Sequence, residues 1–192
     1  EEAREALTRR FGFQSWRDLA SYVETVARGG MTVLEKLIVD DDYKAVEAIT
    51  GADSGVVHRE VHWTRKRRHN HYLPLSYAAY CGSVKSMQAL LKAGADVHAA
   101  EEQALRAASY FDSNIEAVKL LLDWGADANA KTSSSGRTRY SVFDYPCMTL
   151  APGVLQLLID RGAKPKAANA GMIIASNERR PREKAACIEV MC

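Results

Sequence analysis

The chain lacks the features that mark membrane-spanning and disulfide-rich proteins. No apolar run approaches the roughly 20 residues that a membrane-spanning helix needs, and no signal-peptide pattern opens the chain. Its 192 residues hold four cysteines, none in a C-x-x-C pair, which is too few for a disulfide scaffold. We therefore expect free thiols in a reducing, cytoplasmic compartment, and no membrane partner.

Charge of one sign and catalytic signatures are missing as well. Lys and Arg number 26 against 24 Asp and Glu, so any attraction to an anionic partner must come from local clusters. The sequence has no P-loop, no G-x-G-x-x-G, no G-x-S-x-G and no H-E-x-x-H motif. We expect a non-enzymatic protein without a cofactor. An enzyme or metal site hidden in the fold stays an alternative, because active sites assemble in space.

What the chain does have is an internal repeat. The triplet Gly-Ala-Asp begins at Gly51, Gly94 and Gly125, and a near-copy begins at Gly162. The spacings are 43, 31 and 37 residues, which suits one small helical unit per repeat. Each triplet ends an apolar stretch with helical spacing, and the glycine is predicted to end each helix in the left-handed conformation. Pairs of small or apolar residues mark a shorter helix upstream: Ala78-Ala79, Ala107-Ala108 and Ile174-Ala175.

The stretch Leu73–Ala99 resembles the ankyrin repeat, which reads T-P-L-H-x-A-A-x-x-G, then V-x-x-L-L and G-A-D-V-N-A. The matching residues are Pro74, Leu75, Ala78, Ala79, Gly82, Leu90, Leu91, Gly94, Ala95, Asp96 and Ala99. Leu73 and Ser76 depart at the Thr and His positions, so we expect less regular turns. Other units match more loosely, with Asp144 at the His position of the fourth. Asp40-Asp41-Asp42 is predicted to link the two helices of the first unit.

The resemblance implies an all-α solenoid of helix-turn-helix units joined by projecting loops. Residues 31–192 are predicted to hold about five units, with the first and last degenerate or incomplete. Residues 1–30 resemble a helical N-terminal cap of some bacterial ankyrin proteins, with Phe11, Phe13 and Trp16 covering the first unit and Ser15 capping a helix. Since the chain starts without Met and stops inside an apolar-periodic stretch, we expect it to be part of a longer protein.

The resemblance also implies that the protein binds another protein, through a concave groove and through its loops. The variable positions after the Ala-Ala pairs predict groove anchors at Tyr80, Tyr110, Phe111 and Met148, joined by Trp63. Packing of Tyr110 and Phe111 within an enlarged loop is the alternative. Cys81 lies at a groove position without a neighbouring His in sequence, so it is not predicted to be a nucleophile.

Two long loops carry clustered positive charge. One holds Arg65, Lys66, Arg67 and Arg68, and the other brings Arg137 and Arg139, with Lys131, around a Ser/Gly-rich tip. They flank the short loop 99–103 and are predicted to form two prongs that attract an acidic patch on a partner protein. The chain itself is expected to be a monomer. The alternatives are an anionic ligand, nucleic acid stacked on Trp63 and Tyr72, or a solvated charge run. Without a nucleic-acid module in the sequence, we do not expect nucleic acid.

Four histidines lie close together in the same region: His58, His62, His69 and His71. His58 and His62 would share one face of a helix, as half of a metal site. Because four neighbouring cations would repel a divalent metal, we expect none bound there.

Overall fold

A computed structural model of the chain describes residues 2–10, 15–17, 19–20, 32–65, 68–131, 140–176 and 180–191, with only the backbone for 62–65 and 68–71. The chain divides into two compact units, Glu1–Asp96 and Val97–Cys192.

The first unit begins with helix α1, Glu2–Arg10. The guanidinium of Arg4 lies 5.4 Å from the ring centre of Trp16, a cation–π distance. Trp16 stays 41% exposed. Phe11 and Phe13, which we expected to cover the first repeat with Trp16, lie outside the described residues.

Two helix pairs follow in the first unit. The first pair is α2, Val33–Val39, with α3, Tyr43–Ala52. Thr32 caps α2 in a capping box with Glu35, whose side chain is buried. The second pair is α4, Pro74–Cys81, with α5, Val84–Lys92. Helices α2 and α4 contact each other, as do α3 and α5, so equivalent helices stack in two layers around buried apolar residues: Leu37, Ile38, Val46, Ala78, Ala79, Met87 and Leu90.

A β-hairpin stands between these pairs, where the sequence predicted an extended loop. After a short 3-10 helix, Ser54–His58, strand β1 (Val61–Arg65) pairs antiparallel with β2 (Arg68–Tyr72). The pairing begins with Val61 opposite Tyr72 and ends with Arg65 opposite Arg68. Val61 is buried, and the ring of Tyr72 lies 6.1 Å from that of Tyr80 in α4. These contacts fix the base of the hairpin.

The second unit has three helix pairs in its described residues. They are α6, Ala99–Ala108, with α7, Ile115–Asp123; α8, Asp144–Thr149, with α9, Pro152–Asp160; and α10, Ala167–Ala175, with α11, Pro181–Met191. A 3-10 turn, Asp112–Asn114, precedes α7. The predicted stripes are buried at Val118, Leu121, Leu155 and Leu158. The mostly helical architecture of paired antiparallel elements confirms the predicted fold class.

The predicted helix ends hold for three of the four glycines. Gly94, Gly125 and Gly162 have φ of +94°, +94° and +87°, the left-handed region that L side chains avoid. Gly51 differs because it lies inside α3, which runs on to Ala52. The first triplet therefore does not stop its helix. Asp53 follows, and its carboxylate accepts a hydrogen bond from the Gly55 N–H at 3.0 Å to begin the 3-10 helix.

Two other local predictions need correction or refinement. In the last pair Ile173 is buried and Ile174 is 63% exposed, so Ile174-Ala175 is not a close-packed pair. The described chain holds no further helix pair beyond α11 to cover Ile174. The short loop predicted at residues 99–103 has an irregular backbone. Ala100, Glu101 and Glu102 are left-handed, with φ of +49°, +58° and +60°, so regular α6 starts after them.

Aspartates tie neighbouring helix pairs together in both units. Asp42 caps α3, while the Asp41 carboxylate accepts a 2.8 Å hydrogen bond from the N–H of Ser86, the third residue of α5. In the second unit, Asp112 accepts a 3.0 Å bond from the N–H of Val154, the third residue of α9. The negative charge lies at a helix N-terminus, where the backbone dipole favours it. The Asp40-Asp41-Asp42 run is thus the predicted interhelical turn, and it also links two pairs.

Candidate functional site

An aromatic cluster lies on the second unit, formed by residues just after α6 and by residues within and before α8. The Tyr110 ring centre is 4.9 Å from that of Tyr145 and 6.2 Å from that of Phe111. Tyr140 lies 6.2 Å from Tyr145. Tilted rings at these distances attract each other beyond the gain from burial alone. We call these four aromatic residues, together with Met148, the aromatic patch.

The aromatic patch is open to solvent although its members contact one another. Phe111 is 44% exposed and Met148 is 39% exposed, while Tyr110, Tyr140 and Tyr145 are half-buried. Phe111 immediately precedes the 3-10 turn, so its ring is not enclosed by the enlarged loop. The structure therefore places Tyr110 and Phe111 together at a surface, and Met148 lies one helical turn after Tyr145 on α8.

Sequence reasoning missed Tyr140 and Tyr145 as members of this surface. The spacing of Tyr145 and Met148, three residues apart on α8, was the available signal that they share a helix face. Tyr140 carries no such signal, because it reaches the cluster only through the fold of the segment preceding α8.

The predicted anchor Tyr80 belongs to the first unit. It is half-buried and lies against Tyr72 from the hairpin. Next to it, Cys81 is exposed at the end of α4. Partial burial raises the pKa of the Cys81 thiol, and a side-chain hydrogen bond with Tyr77 only partly opposes this. Burial likewise raises the pKa of the Tyr77 hydroxyl. A thiol with a raised pKa is protonated near pH 7 and is a poor nucleophile.

The first basic cluster lies at the far end of the hairpin. Arg65 and Arg68 are the last paired residues, four residue steps from the buried Val61. At about 3.3 Å per residue, the backbone of Arg65 and Arg68 lies about 13 Å from the base of the hairpin. Lys66 and Arg67 lie outside the described residues, as do the side chains of Trp63, Arg65 and Arg68. Arg137 and Arg139 of the second predicted prong also lie outside them.

The histidines belong to different elements. His58 ends the 3-10 helix and His62 lies in β1, so the two do not share a helix face as the sequence spacing proposed. The hairpin register places His62 opposite His71. Within the described residues, no group of three or more His, Cys, Asp or Glu side chains is positioned to hold a metal ion. No helix in the described ranges is both long and apolar enough to cross a bilayer.

Paired antiparallel helices, stacked on equivalent helices and closed by left-handed glycines, define a helical-repeat protein. A family model for ankyrin repeats, in three copies, matches residues 26–132. The chain belongs to the ankyrin-repeat family. No curated protein matches the chain. Ankyrin repeats generally mediate protein–protein interaction, and the family is typically non-enzymatic.

Proposed function

We propose that this protein is a non-enzymatic recognition module that binds a partner protein through the aromatic patch of its second unit. The single observation that carries the proposal is the exposure of Phe111 and Met148 beside three touching tyrosines. Large, rigid side chains of this kind bury much area while losing little rotamer freedom, which is why Tyr and Trp dominate binding hot spots.

The basic end of the hairpin in the first unit is the second, separate part of the proposal. It holds four cations that are consecutive in sequence, Arg65, Lys66, Arg67 and Arg68. The backbone of Arg65 and Arg68 lies about 13 Å from the buried base at 3.3 Å per residue. A positive cluster held away from the body attracts an acidic patch and raises the association rate more than the final affinity. Trp63, Tyr80, Arg137 and Arg139 complete the proposed contact residues, in a monomeric cytoplasmic protein.

The test is capture of partner proteins from a native cell extract, read by mass spectrometry. The patch variant is Phe111→Ser with Tyr145→Ser. Trp124→Ser is the matched control, because Trp124 is 46% exposed at the opposite end of α7 from Phe111. We expect the wild type and the control to enrich the same protein, and the patch variant to lose it while keeping its circular dichroism spectrum.

The hairpin is tested on the captured partner with Arg65, Lys66, Arg67 and Arg68 changed to Gln. We expect a slower association rate and a weaker dependence of that rate on salt, with a nearly unchanged dissociation rate. Equal enrichment by the patch variant and the wild type would contradict the aromatic proposal. An unchanged salt dependence would contradict the role of the hairpin.

A further inference from the structure

A cavity of about 310 Å³ lies in the second unit, and none of its lining residues belongs to the aromatic patch. Three ammonium-bearing side chains line it, from segments that lie up to 35 positions apart in sequence. The polar and aromatic lining residues are Asn129, Lys131, Ser141, Phe143, Lys164 and Lys166. No carboxylate is among the described residues that line it.

Hydrogen bonds between backbone segments hold the cavity walls in place. Lys131 and Ser141 form an antiparallel bridge, and the N–H of Val142 donates to the carbonyl oxygen of Ala130 at 3.0 Å. The Asn129 side chain joins the third segment. Its amide donates to the carbonyl oxygen of Gly162 at 3.0 Å, and its oxygen accepts from the Lys164 N–H at 2.9 Å. The lysines are therefore carried by a preorganised frame.

The nearby carboxylates are engaged with other groups. Asp144 is buried and accepts hydrogen bonds from the Ser141 N–H and the Asn169 side chain. Asp127 accepts from the Asn129 N–H at 2.8 Å. In the described part of the chain, no ion pair joins Lys131, Lys164 or Lys166 to an acidic residue. Three lysines thus line one cavity that has no carboxylate among its described lining residues.

Helix α10 adds to the positive potential. It begins at Ala167, immediately after Lys166, so the positive end of its backbone dipole lies at the cavity. The Lys166 N–H is already bonded to the Asn169 side chain at 2.7 Å. The attraction for an anion therefore comes from the lysine side chains and the helix dipole together.

We propose that this cavity binds a phosphate monoester. Lysine ammonium groups bind phosphate as point charges. The combined positive charge of three lysines favours a dianionic ligand, and a phosphate monoester carries about −1.5 to −2 charges at pH 7. About 310 Å³ exceeds what a bare anion fills and leaves room for the group that carries the phosphate. The ester comes either from a phosphorylated side chain or from a small phosphorylated molecule.

The test is titration calorimetry with phosphoserine, glycerol 3-phosphate, inorganic phosphate, sulfate and succinate as probes. The site variant carries Lys131→Gln, Lys164→Gln and Lys166→Gln. The control variant removes the same charge at exposed lysines that do not line the cavity: Lys44→Gln, Lys92→Gln and Lys119→Gln. We expect saturable binding of at least one monoester by the wild type and the control, and at least a tenfold loss in the site variant. The ratio of the phosphoserine and glycerol 3-phosphate affinities identifies the source of the ester.

The pH dependence separates a phosphate site from a general anion site. A phosphate monoester gains a proton near pH 6, so its binding should weaken between pH 7.5 and 5.5, while the binding of sulfate, which stays a dianion throughout, should change less over that window. Equal loss in the site and control variants, stronger binding of succinate than of either ester, or no saturable binding would overturn the proposal. None of these results depends on the aromatic patch, whose capture experiment uses different variants.

Discussion

The hydrogen bond from the Val154 N–H to Asp112 predicts that Gly153→Ala destabilises the wild type but stabilises a variant that carries Asp112→Ala. Asp112→Ala removes a charge-assisted hydrogen bond at the N-terminus of α9. Such bonds contribute about 1.5–3 kcal/mol. Because Asp112 is exposed, solvent screening reduces this, and we expect about 1.5 kcal/mol lower stability.

The neighbouring Gly153 allows the effect of one substitution to be compared with and without the Asp112 carboxylate. A Cβ at this position would lie 3.0 Å from the Asp112 carboxylate and 3.3 Å from the end of the Ile115 side chain. Gly153→Ala should therefore displace the carboxylate and cost about 1 kcal/mol in the wild-type background. With Ala at position 112 the contact with the carboxylate is gone, and the remaining neighbour is the flexible end of the Ile115 side chain. The greater helix propensity of Ala should then stabilise α9 by about 0.5 kcal/mol.

The assay is urea denaturation of the wild type, both single variants and the double variant. Circular dichroism and tryptophan fluorescence must give coincident transitions, because repeat arrays can unfold in steps. The two backgrounds should differ by about 1.5 kcal/mol in the effect of Gly153→Ala, a coupling typical of residues in contact. An equal cost in both backgrounds would show that Asp112 does not determine the glycine at position 153.

Three further predictions concern local backbone conformation and buried thiols. Gly125→Ala should lower the free energy of unfolding by about 1–2 kcal/mol, since φ is +94° there, as measured by urea denaturation. Gly51→Ala should raise it by about 0.5 kcal/mol, because Gly51 lies inside α3 with open space where a Cβ would stand; destabilisation at Gly51 would contradict the helical assignment. Burial raises the pKa of the thiols of Cys147 and Cys187 from 9.0 to about 12 and about 11. The unfolded thiols ionise first, so stability is retained below pH 9 and should fall as pH rises through pH 11–12, by up to about 1.4 kcal/mol per pH unit for each thiol. Replacing Cys147 by Ala should flatten the slope of unfolding free energy against pH relative to wild type. An identical slope would show that ionisation of the Cys147 thiol does not cause the loss of stability.

The sequence predicted the helical repeat because its signals are local. Glycine after an apolar helical stripe fixes a helix end at Gly94, Gly125 and Gly162, whatever lies nearby. The same triplet misled at Gly51, where helical conformation continues through the glycine and Asp53 starts the next turn. The triplet alone does not predict whether the helix ends at the glycine or continues through it.

The hairpin, the aromatic patch and the lysine-lined cavity depend on tertiary contacts that sequence patterns do not predict. Residues 61–72 have no glycine to mark a turn and carry many charges, so they were interpreted as a loop. Burial of Val61 and contact between Tyr72 and Tyr80 anchor the strands. Tyr140 joins the aromatic patch, and Lys164 joins the lysine-lined cavity, only after distant segments are brought together.

The hairpin has a consequence for how the molecule behaves at high concentration. The described sheet has two strands, so β1 and β2 each leave an outer row of backbone groups without a strand partner. Such an edge is a template for pairing with another chain, and proteins commonly guard it with charge. Arg65 and Arg68 lie in these strands, with Lys66 and Arg67 between them. We expect the cations proposed to attract a partner also to keep copies of this protein from adding strands to one another, so neutralising them should both slow partner association and favour aggregation.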